Sequence, residues 1–205
     1  MRLFEGKRTP SARRVTIYLA EKGIELERVE MNLQAREQKS AEFLAKNSIG
    51  KVPVLELDNG TYLPESAAIV EYLEELYPQP PMIGETPQER AQARASERIV
   101  GEIFTRLAFG LMHTHPSVPK NRPGFVQVPG VAEILLPSAD ELLDQLEVRM
   151  GDNMFLAGPR PTIADCSLFA LMEISYPVFD YELPERCPNL RRWYAHFRDR
   201  PSAQL

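Results

Sequence analysis

The sequence predicts an α/β domain followed by an all-α domain. Residues 1–78 alternate between segments with a strand pattern and segments with a helix pattern. Residues 86–205 have almost only helix and loop patterns, and the proline-rich residues 79–85 are typical of a linker. A chain of 205 residues is long enough for two small domains of this kind.

The first half of the α/β domain contains two predicted βα units. The residues "MRLFE" at 1–5 form a strand candidate, and the helix pattern that follows stops at Gly23, a residue that favours helix ends. Residues 24–31 alternate partly as a strand does, and "KSAEFLAKN" at 39–47 is a short helix candidate.

The second half is a predicted hairpin followed by a helix. Asn59 and Gly60 separate two β-rich runs and favour the positive φ angles of a tight turn. The next helix has Ser66 as its predicted N-cap and ends before Pro78. Its predicted apolar face comprises Ile69, Val70, Leu73, Leu76 and Tyr77. The predicted element order of this domain is therefore βαβαββα.

The second domain opens with a strong helix signal. Thr86, Pro87 and Glu89 combine a capping box with proline at the first helical position, and they predict a long helix toward residue 112. Residues 113–130 are rich in proline, glycine and histidine and predict a long loop. Further helix patterns, one of them opened by Thr162 and Asp165, lie at 131–150, 161–177 and 187–201.

The composition argues against several classes of protein. A net charge of -5 without a long run of lysine or arginine argues against nucleic acid as the main partner. No apolar run approaches the roughly 20 residues that cross a bilayer. Because the N-terminal residues are too polar for a signal peptide, we expect a cytoplasmic protein.

The cysteines and histidines do not predict a metal site. Cys166 and Cys187 lie in neither a C-x-x-C nor a metal-ligand spacing, so we expect core-filling thiols without a disulfide framework. His113 and His115 are close in sequence, but no carboxylate or third histidine stands nearby at ligand spacing.

Four segments carry a resemblance to a known family. They are "TPSARRVTIYLAEKG", "IGKVPVLELDNG", "LPESAAIVEYLEELYP" and, in the second domain, "LAGPRPTIADCSLFA". In this order and spacing the chain resembles the cytosolic glutathione S-transferase superfamily over essentially its whole length, with a bacterial Nu-like or theta-like N-terminal motif. The resemblance implies a thioredoxin-like first domain that binds glutathione as co-substrate, no metal, a role in detoxification and a homodimer.

Val52 and Pro53 predict a peptide-binding edge. Pro53 removes an amide donor, and a cis bond after Val52 would turn the Val52 main chain outward at the end of a strand. The resemblance implies that this edge holds the cysteinyl part of glutathione through main-chain bonds, as in strand addition. An ordinary trans proline at a sheet edge is the alternative, and the flanking strand and hairpin favour the cis bond.

Glu65 and Ser66 stand at a helix start, where free amides and the helix dipole attract a carboxylate. Ser66 adds a hydroxyl and Glu65 can receive an ammonium group, so the pair suits the γ-glutamyl group of glutathione. Capping of the helix by Ser66 is the alternative, and the two roles are compatible.

Thr9 and Ser11 are the candidate catalytic residues. The thiolate is the nucleophile, whereas a free thiol with a pKa of about 8.5 is mostly protonated at neutral pH. The helix that begins here offers unpaired amides, and a hydroxyl can donate to the anion. The resemblance implies Thr9 as the preferred donor, with Ser11 as its assistant or as the true donor. Alternatively, both hydroxyls only cap the helix.

Three further residues fall near positions where the family contacts the glycine end of glutathione: Gln38, Lys39 and Lys51. For the two lysines a solvated surface charge is the alternative.

The second substrate is expected between the two domains. The candidate lining residues, for which plain core packing is the alternative, are Phe104, Phe109, Met112, Tyr176 and Phe179.

The predicted function is a glutathione transferase that attacks a small apolar electrophile with the glutathione thiolate. One alternative is a glutathione-dependent disulfide reductase or peroxidase, and another is a non-catalytic binding protein of the same fold. Because residue 9 is not cysteine, it cannot form a mixed disulfide with glutathione, although exchange by bound glutathione itself stays open.

Overall fold

The structure, a computed structural model, describes residues 1–7, 9–116, 118 and 125–205. Two compact units are present, Met1–Met82 together with Arg200–Leu205, and Ile83–Asp199. The predicted domain boundaries at residues 78 and 86 therefore lie on either side of the border between the units.

The first unit has the predicted βαβαββα order. A short 3-10 helix at Glu37–Lys39, which the sequence pattern does not predict, precedes the second α-helix. The elements are β1 (Arg2–Glu5), α1 (Pro10–Lys22), β2 (Glu27–Glu30), α2 (Ala41–Lys46), β3 (Val54–Glu56), β4 (Tyr62–Pro64) and α3 (Ser66–Leu76).

The four strands form one mixed sheet in the order β2-β1-β3-β4. β1 pairs with β2 in parallel, as a βαβ unit requires, and with β3 in antiparallel fashion, with Leu3 opposite Leu55. β3 and β4 form the predicted hairpin, in which Gly60 has φ of 80°. The sheet and helices fit a thioredoxin-like domain and confirm the predicted fold class.

The apolar periodicity of the helices produces the core of this unit. Ile17 of α1 and Ile69 and Leu73 of α3 are completely buried. Leu76 and Tyr77, which the pattern places on the same face, are instead 48% and 39% exposed. Leu76 is the last helical residue and Tyr77 is the C-cap, so the chain leaves the helical face at this point.

A buried ion pair connects α1, α3 and the segment that follows α3. Glu74 accepts hydrogen bonds from Tyr18 (2.6 Å), from Lys22 Nζ (2.9 Å) and from the amide of Met82 (2.8 Å). Lys22 Nζ also donates to the carbonyl of Pro80 at 2.7 Å. Because both charges are buried and hydrogen-bonded, loss of either partner would leave an unpaired charge in the core.

The C-terminal residues pack in the first unit, on α1. Arg200 donates two hydrogen bonds of 2.7 Å to the carboxylate of Glu21, which also accepts from Ser202. Arg13 of α1 donates to the carbonyl of Ala203 at 2.7 Å. Residues 200–205 thus belong to this compact unit, although the sequence pattern places them at the end of the second domain.

Apart from an isolated β-bridge between Phe155 and Gly158, the described secondary structure of the second unit is helical. The predicted capping box of Thr86 and Glu89 is present, and the long first helix extends to Thr114. Residues 117 and 119–124 of the predicted loop lie outside the described residues, and the next helix begins at Pro129, within the range 113–130 that the pattern assigns to the loop. The helices are α4 (Pro87–Thr114), α5 (Pro129–Met150), α6 (Ile163–Phe179) and α7 (Pro188–Arg198).

Asp165 anchors the start of α6. Its buried carboxylate accepts hydrogen bonds from the amide and hydroxyl of Thr162, from the amide of Leu156 and from the indole of Trp193, at 2.7–3.0 Å. Burial raises the pKa of Asp165 to about 6, while these donors oppose the rise.

Both cysteines are free and buried, as predicted.

Among the described residues, no helix has the length and apolar character needed to cross a membrane. The cytoplasmic location stays a prediction.

Candidate functional site

Three chain segments meet at one end of the first unit's sheet. β1 ends at Glu5, β3 begins at Val54 and β4 ends at Pro64, and the antiparallel register places these three ends side by side. The residues just beyond them therefore lie close together: the loop into α1, the Val52-Pro53 bond and the start of α3. Strand ends with adjacent helix starts are a common place for ligand sites because they present unpaired backbone groups.

Gly6 allows this close approach. A Cβ built on Gly6 would lie 2.5 Å from Leu33 Cδ1 and 3.1 Å from Val52 Cγ2, so no other residue fits without a shift. The glycine thereby keeps the loop before α1 in contact with Val52. Sequence reasoning missed Gly6, although a glycine directly after a strand indicates a close backbone approach.

Thr9 is the N-cap residue of α1, but its side chain does not cap the helix. Its amide and its hydroxyl both donate to the carbonyl of Gly6, at 3.2 and 3.0 Å. A threonine hydroxyl carries one hydrogen, and a carbonyl can only accept, so this hydrogen is used within the chain. The oxygen of Thr9 keeps its capacity to accept.

Ser11 is the second residue of α1 and is half-buried. In the part of the chain that the structure describes, neither its hydroxyl nor its amide has a hydrogen-bond partner. The capping alternative thus has no support at Thr9 or Ser11, since neither side chain bonds an amide of the first turn.

The peptide bond between Val52 and Pro53 is cis, as predicted. Pro53 is buried and Val52 is half-buried. The amide and carbonyl of Val52 have no hydrogen-bond partner among the residues that are described. This main chain is thus available to an extended ligand.

The start of α3 differs from the prediction by one residue. Glu65, not Ser66, is the N-cap, and Ser66 is the first helical residue. Glu65 has φ of 70° and ψ of 110°, an uncommon backbone conformation for a residue with a side chain. Its exposed carboxylate and the hydroxyl of the buried Ser66 have no partner within the described ranges. Strained backbone of this kind is concentrated at functional sites.

Gln38, Lys39 and Lys51 are brought together by the packing of the 3-10 helix on Gly50. Gly50 has φ of 61°, and a Cβ on it would lie 2.7 Å from the carbonyl oxygen of Gln38. Both lysines are exposed, and Lys39 Nζ donates to the carbonyl of Ile49 at 2.8 Å. The side-chain oxygen of Gln38 is buried without a hydrogen-bond partner in the described structure.

An open cavity of about 630 Å³ adjoins this region. It contains both charge signs, because Lys7 forms an ion pair with Glu30 at 2.6 Å. Leu33, which contacts Gly6, is also part of its wall. The lining residues are Lys7, Glu30, Met31, Asn32, Leu33, Gln34 and Glu37.

The candidate residues for the second substrate belong to the second unit. On α4, Phe109 is 51% exposed, and Phe104 and Met112 are half-buried. On α6, Tyr176 stacks on Tyr194 with ring centroids 4.9 Å apart, and Phe179 packs edge-on against His115. Their role in a substrate pocket stays a prediction.

His113 has a structural hydrogen bond. Its Nδ1 accepts from the amide of Val128 at 2.9 Å. Across residues 1–7, 9–116, 118 and 125–205, no group of three or more histidine, cysteine, aspartate or glutamate side chains could hold a metal ion.

Comparison with known proteins identifies relatives of both units. The family model described as "Glutathione S-transferase, N-terminal domain" matches residues 3–81, and that described as "Glutathione S-transferase, C-terminal domain" matches residues 129–196. Glutathione S-transferase 2 of Saccharomyces cerevisiae is 31% identical over 210 residues, which cover 100% of this chain and 88% of the yeast protein.

Two further relatives differ in what they are reported to do or bind. Maleylacetoacetate isomerase of Pseudomonas aeruginosa is 41% identical over 103 residues, about half of each chain. A glutathione S-transferase of Methylobacterium radiotolerans, solved in complex with glutathione sulfonate, is 25% identical with a TM-score of 0.82 and covers 99% of this chain and 92% of its own.

Proposed function

Because the chain belongs to the glutathione S-transferase family, we propose that it activates the thiol of glutathione as a thiolate for attack on a small apolar electrophile. The family and the enzyme class are those that the sequence predicts. The observation that carries the proposal is the convergence of unpaired groups at Val52, Glu65-Ser66 and Ser11 at one end of the sheet.

Val52 would hold the central residue of glutathione. A cysteinyl main chain in extended form can accept from the Val52 amide and donate to its carbonyl, as in the addition of a short strand. Such a pair fixes the cysteinyl side chain near the loop before α1, which Gly6 holds against Val52. These main-chain hydrogen bonds would orient the cysteinyl residue of glutathione without contacting its sulfur.

The γ-glutamyl group would bind at the start of α3. The free amides of the first turn and the hydroxyl of Ser66 can donate to its carboxylate. The exposed carboxylate of Glu65 can accept from its ammonium group. The unusual backbone of Glu65 supports this assignment because it presents the side chain directly at the helix start.

The glycine end would contact the second βα region. Lys51 and the unused donors of Lys39 can neutralise a carboxylate. The unpartnered oxygen of Gln38 is an acceptor for a ligand N–H, which would remove the cost of burying it alone. The glutathione-binding roles of all three residues remain proposals.

The thiolate would form at the start of α1. Amides of the first turn and the helix dipole lower the pKa of a thiol placed there. A hydroxyl from Thr9 or Ser11 would add a charge-assisted hydrogen bond. The thiol proton then passes to solvent, the sulfur forms a bond to the electrophilic carbon, and the displaced group leaves with the bonding electrons.

Turnover with glutathione tests the proposal. The substrates are an aryl halide, an organic hydroperoxide, a small disulfide and a cis-configured maleyl compound, the last because of the similarity to the isomerase. We expect conjugation of the aryl halide. Turnover of only the hydroperoxide or disulfide would favour the reductase or peroxidase, and turnover of only the maleyl compound would favour an isomerase. Tight glutathione binding without any turnover would indicate a binding protein.

A further inference from the structure

A small cavity in the second unit is separate from every residue assigned to glutathione above. Its volume is about 220 Å³, and it lies wholly within residues 83–199. α4, α5 and the loop before α6 contribute its walls. The lining residues are Gln92, Ser96, Arg149, Asn153, Leu156 and Ala157.

Neutral acceptors hold the guanidinium of Arg149 at this cavity. Its Nε donates to the hydroxyl oxygen of Ser96 at 3.0 Å, and a terminal nitrogen donates to the carbonyl of Gln92 at 3.4 Å. Ser96 is completely buried, and its own hydrogen is directed to the carbonyl of Leu156 at 3.4 Å. The hydroxyl oxygen is therefore oriented to accept from Arg149.

The positive charge of Arg149 is not neutralised. Within the described parts of the chain it contacts no carboxylate, and no acidic side chain lines the cavity. A guanidinium has five N–H donors, of which two are used here, so three remain for a ligand. Its planar arrangement of donors matches the oxygens of a carboxylate or phosphate group.

The remaining walls also suit a small polar ligand. Asn153 uses one amide hydrogen for the carbonyl of Met150 at 2.8 Å and keeps a second. The side-chain amide of Gln92 has no partner within the described ranges. Leu156 and Ala157 provide an apolar surface. Arg149, Gln92 and Asn153 are solvent-exposed, so a ligand can reach them from solution. A cation without a counter-charge beside two amide donors is an arrangement for an anion.

We propose that this cavity binds a small oxyanion, either a carboxylate or a phosphate ester, with Arg149 as the charged contact. The inference is independent of the proposed glutathione chemistry, because none of its residues takes part there. Binding would stabilise the folded chain in proportion to the logarithm of ligand concentration over Kd.

The test uses inorganic phosphate and acetate as separate probes on the purified full chain, with sodium chloride balancing the ionic strength. Thermal unfolding and calorimetry follow binding. We expect a saturable rise in Tm with one site per chain. The probe with the lower Kd identifies the ligand as phosphate-like or carboxylate-like.

Two variants locate the site. Arg149→Gln removes the charge, and Ala157→Leu fills the cavity without changing the charge. We expect each to weaken binding at least tenfold. Arg98→Gln, which removes an exposed arginine of α4 outside the cavity, should bind as the wild type does. A response equal in all four proteins, a response reproduced by chloride, or no response to either probe would overturn the proposal.

Discussion

Replacement of Ser11 by alanine tests which hydroxyl stabilises bound thiolate. The hydrogen of Thr9 is already donated to Gly6 at 3.0 Å, so donation to sulfur would break that bond. Donation from Ser11 to the sulfur would break no hydrogen bond, because the Ser11 hydroxyl makes none within the described structure. A hydrogen bond to a charged group contributes about 1.5–3 kcal/mol, whereas a neutral one contributes about 0.5–1.5 kcal/mol.

These contributions translate into different pKa shifts. Loss of the full charged bond in Ser11→Ala should raise the pKa of the bound glutathione thiol by about 1–2 units, since one unit corresponds to about 1.4 kcal/mol. Thr9→Val loses only the difference between a charged and a neutral bond, so its shift should be below about 1 unit. This order is the reverse of the one that the family resemblance implies.

The assay follows the ultraviolet absorbance of thiolate during a pH titration at saturating glutathione. Wild type, both variants and the exposed-hydroxyl control Ser48→Ala are compared, and circular dichroism checks their folding. A larger shift in Thr9→Val than in Ser11→Ala would refute the reasoning and identify Thr9 as the donor. Equally small shifts would show that the amides of α1 supply most of the stabilisation.

Four further predictions concern the site, the core and assembly. Glu65→Gln and Ser66→Ala should each weaken glutathione binding by about 1.5–3 kcal/mol through loss of charge-assisted hydrogen bonds, and unchanged calorimetric affinity in folded variants would contradict the head-group assignment. Burial raises the pKa of Asp165 to about 6 from 3.8, so its contribution to stability is present below pH 3.8 and is lost as pH rises through about 6. The free energy of unfolding of the wild type should therefore fall by about 3 kcal/mol between pH 3.8 and about 6, and this fall should be absent in Asp165→Asn. A wild-type free energy of unfolding that does not fall across this pH range would refute the prediction. Glu74→Gln should lower the free energy of unfolding by about 3–5 kcal/mol in a denaturant titration, because it leaves buried Lys22 without its counter-charge, while Glu75→Gln on the exposed face should change it little. We expect a homodimer, and sedimentation as a monomer at micromolar concentration would contradict it.

The sequence by itself determined the features that depend on neighbours along the chain. The βαβαββα order follows from local periodicity, the hairpin from Asn59-Gly60, and the start of α4 from Thr86 and Glu89. The cis bond before Pro53 was also predictable, since the flanking segments define the end of a strand. Each of these signals acts over a few residues, so a single sequence contains it completely.

Only the tertiary structure decided how groups distant in sequence are used. The pattern "TPSARRV" contains two hydroxyls. The position of the Gly6 carbonyl decides that the Thr9 hydroxyl donates a hydrogen bond within the chain and that the Ser11 hydroxyl does not. The burial of the Gln38 oxygen depends on packing around Gly50, and the pairing of Arg200 with Glu21 joins residues 179 positions apart. Hydrogen bonds and burial of this kind arise from the three-dimensional arrangement of the whole unit, which no local pattern encodes.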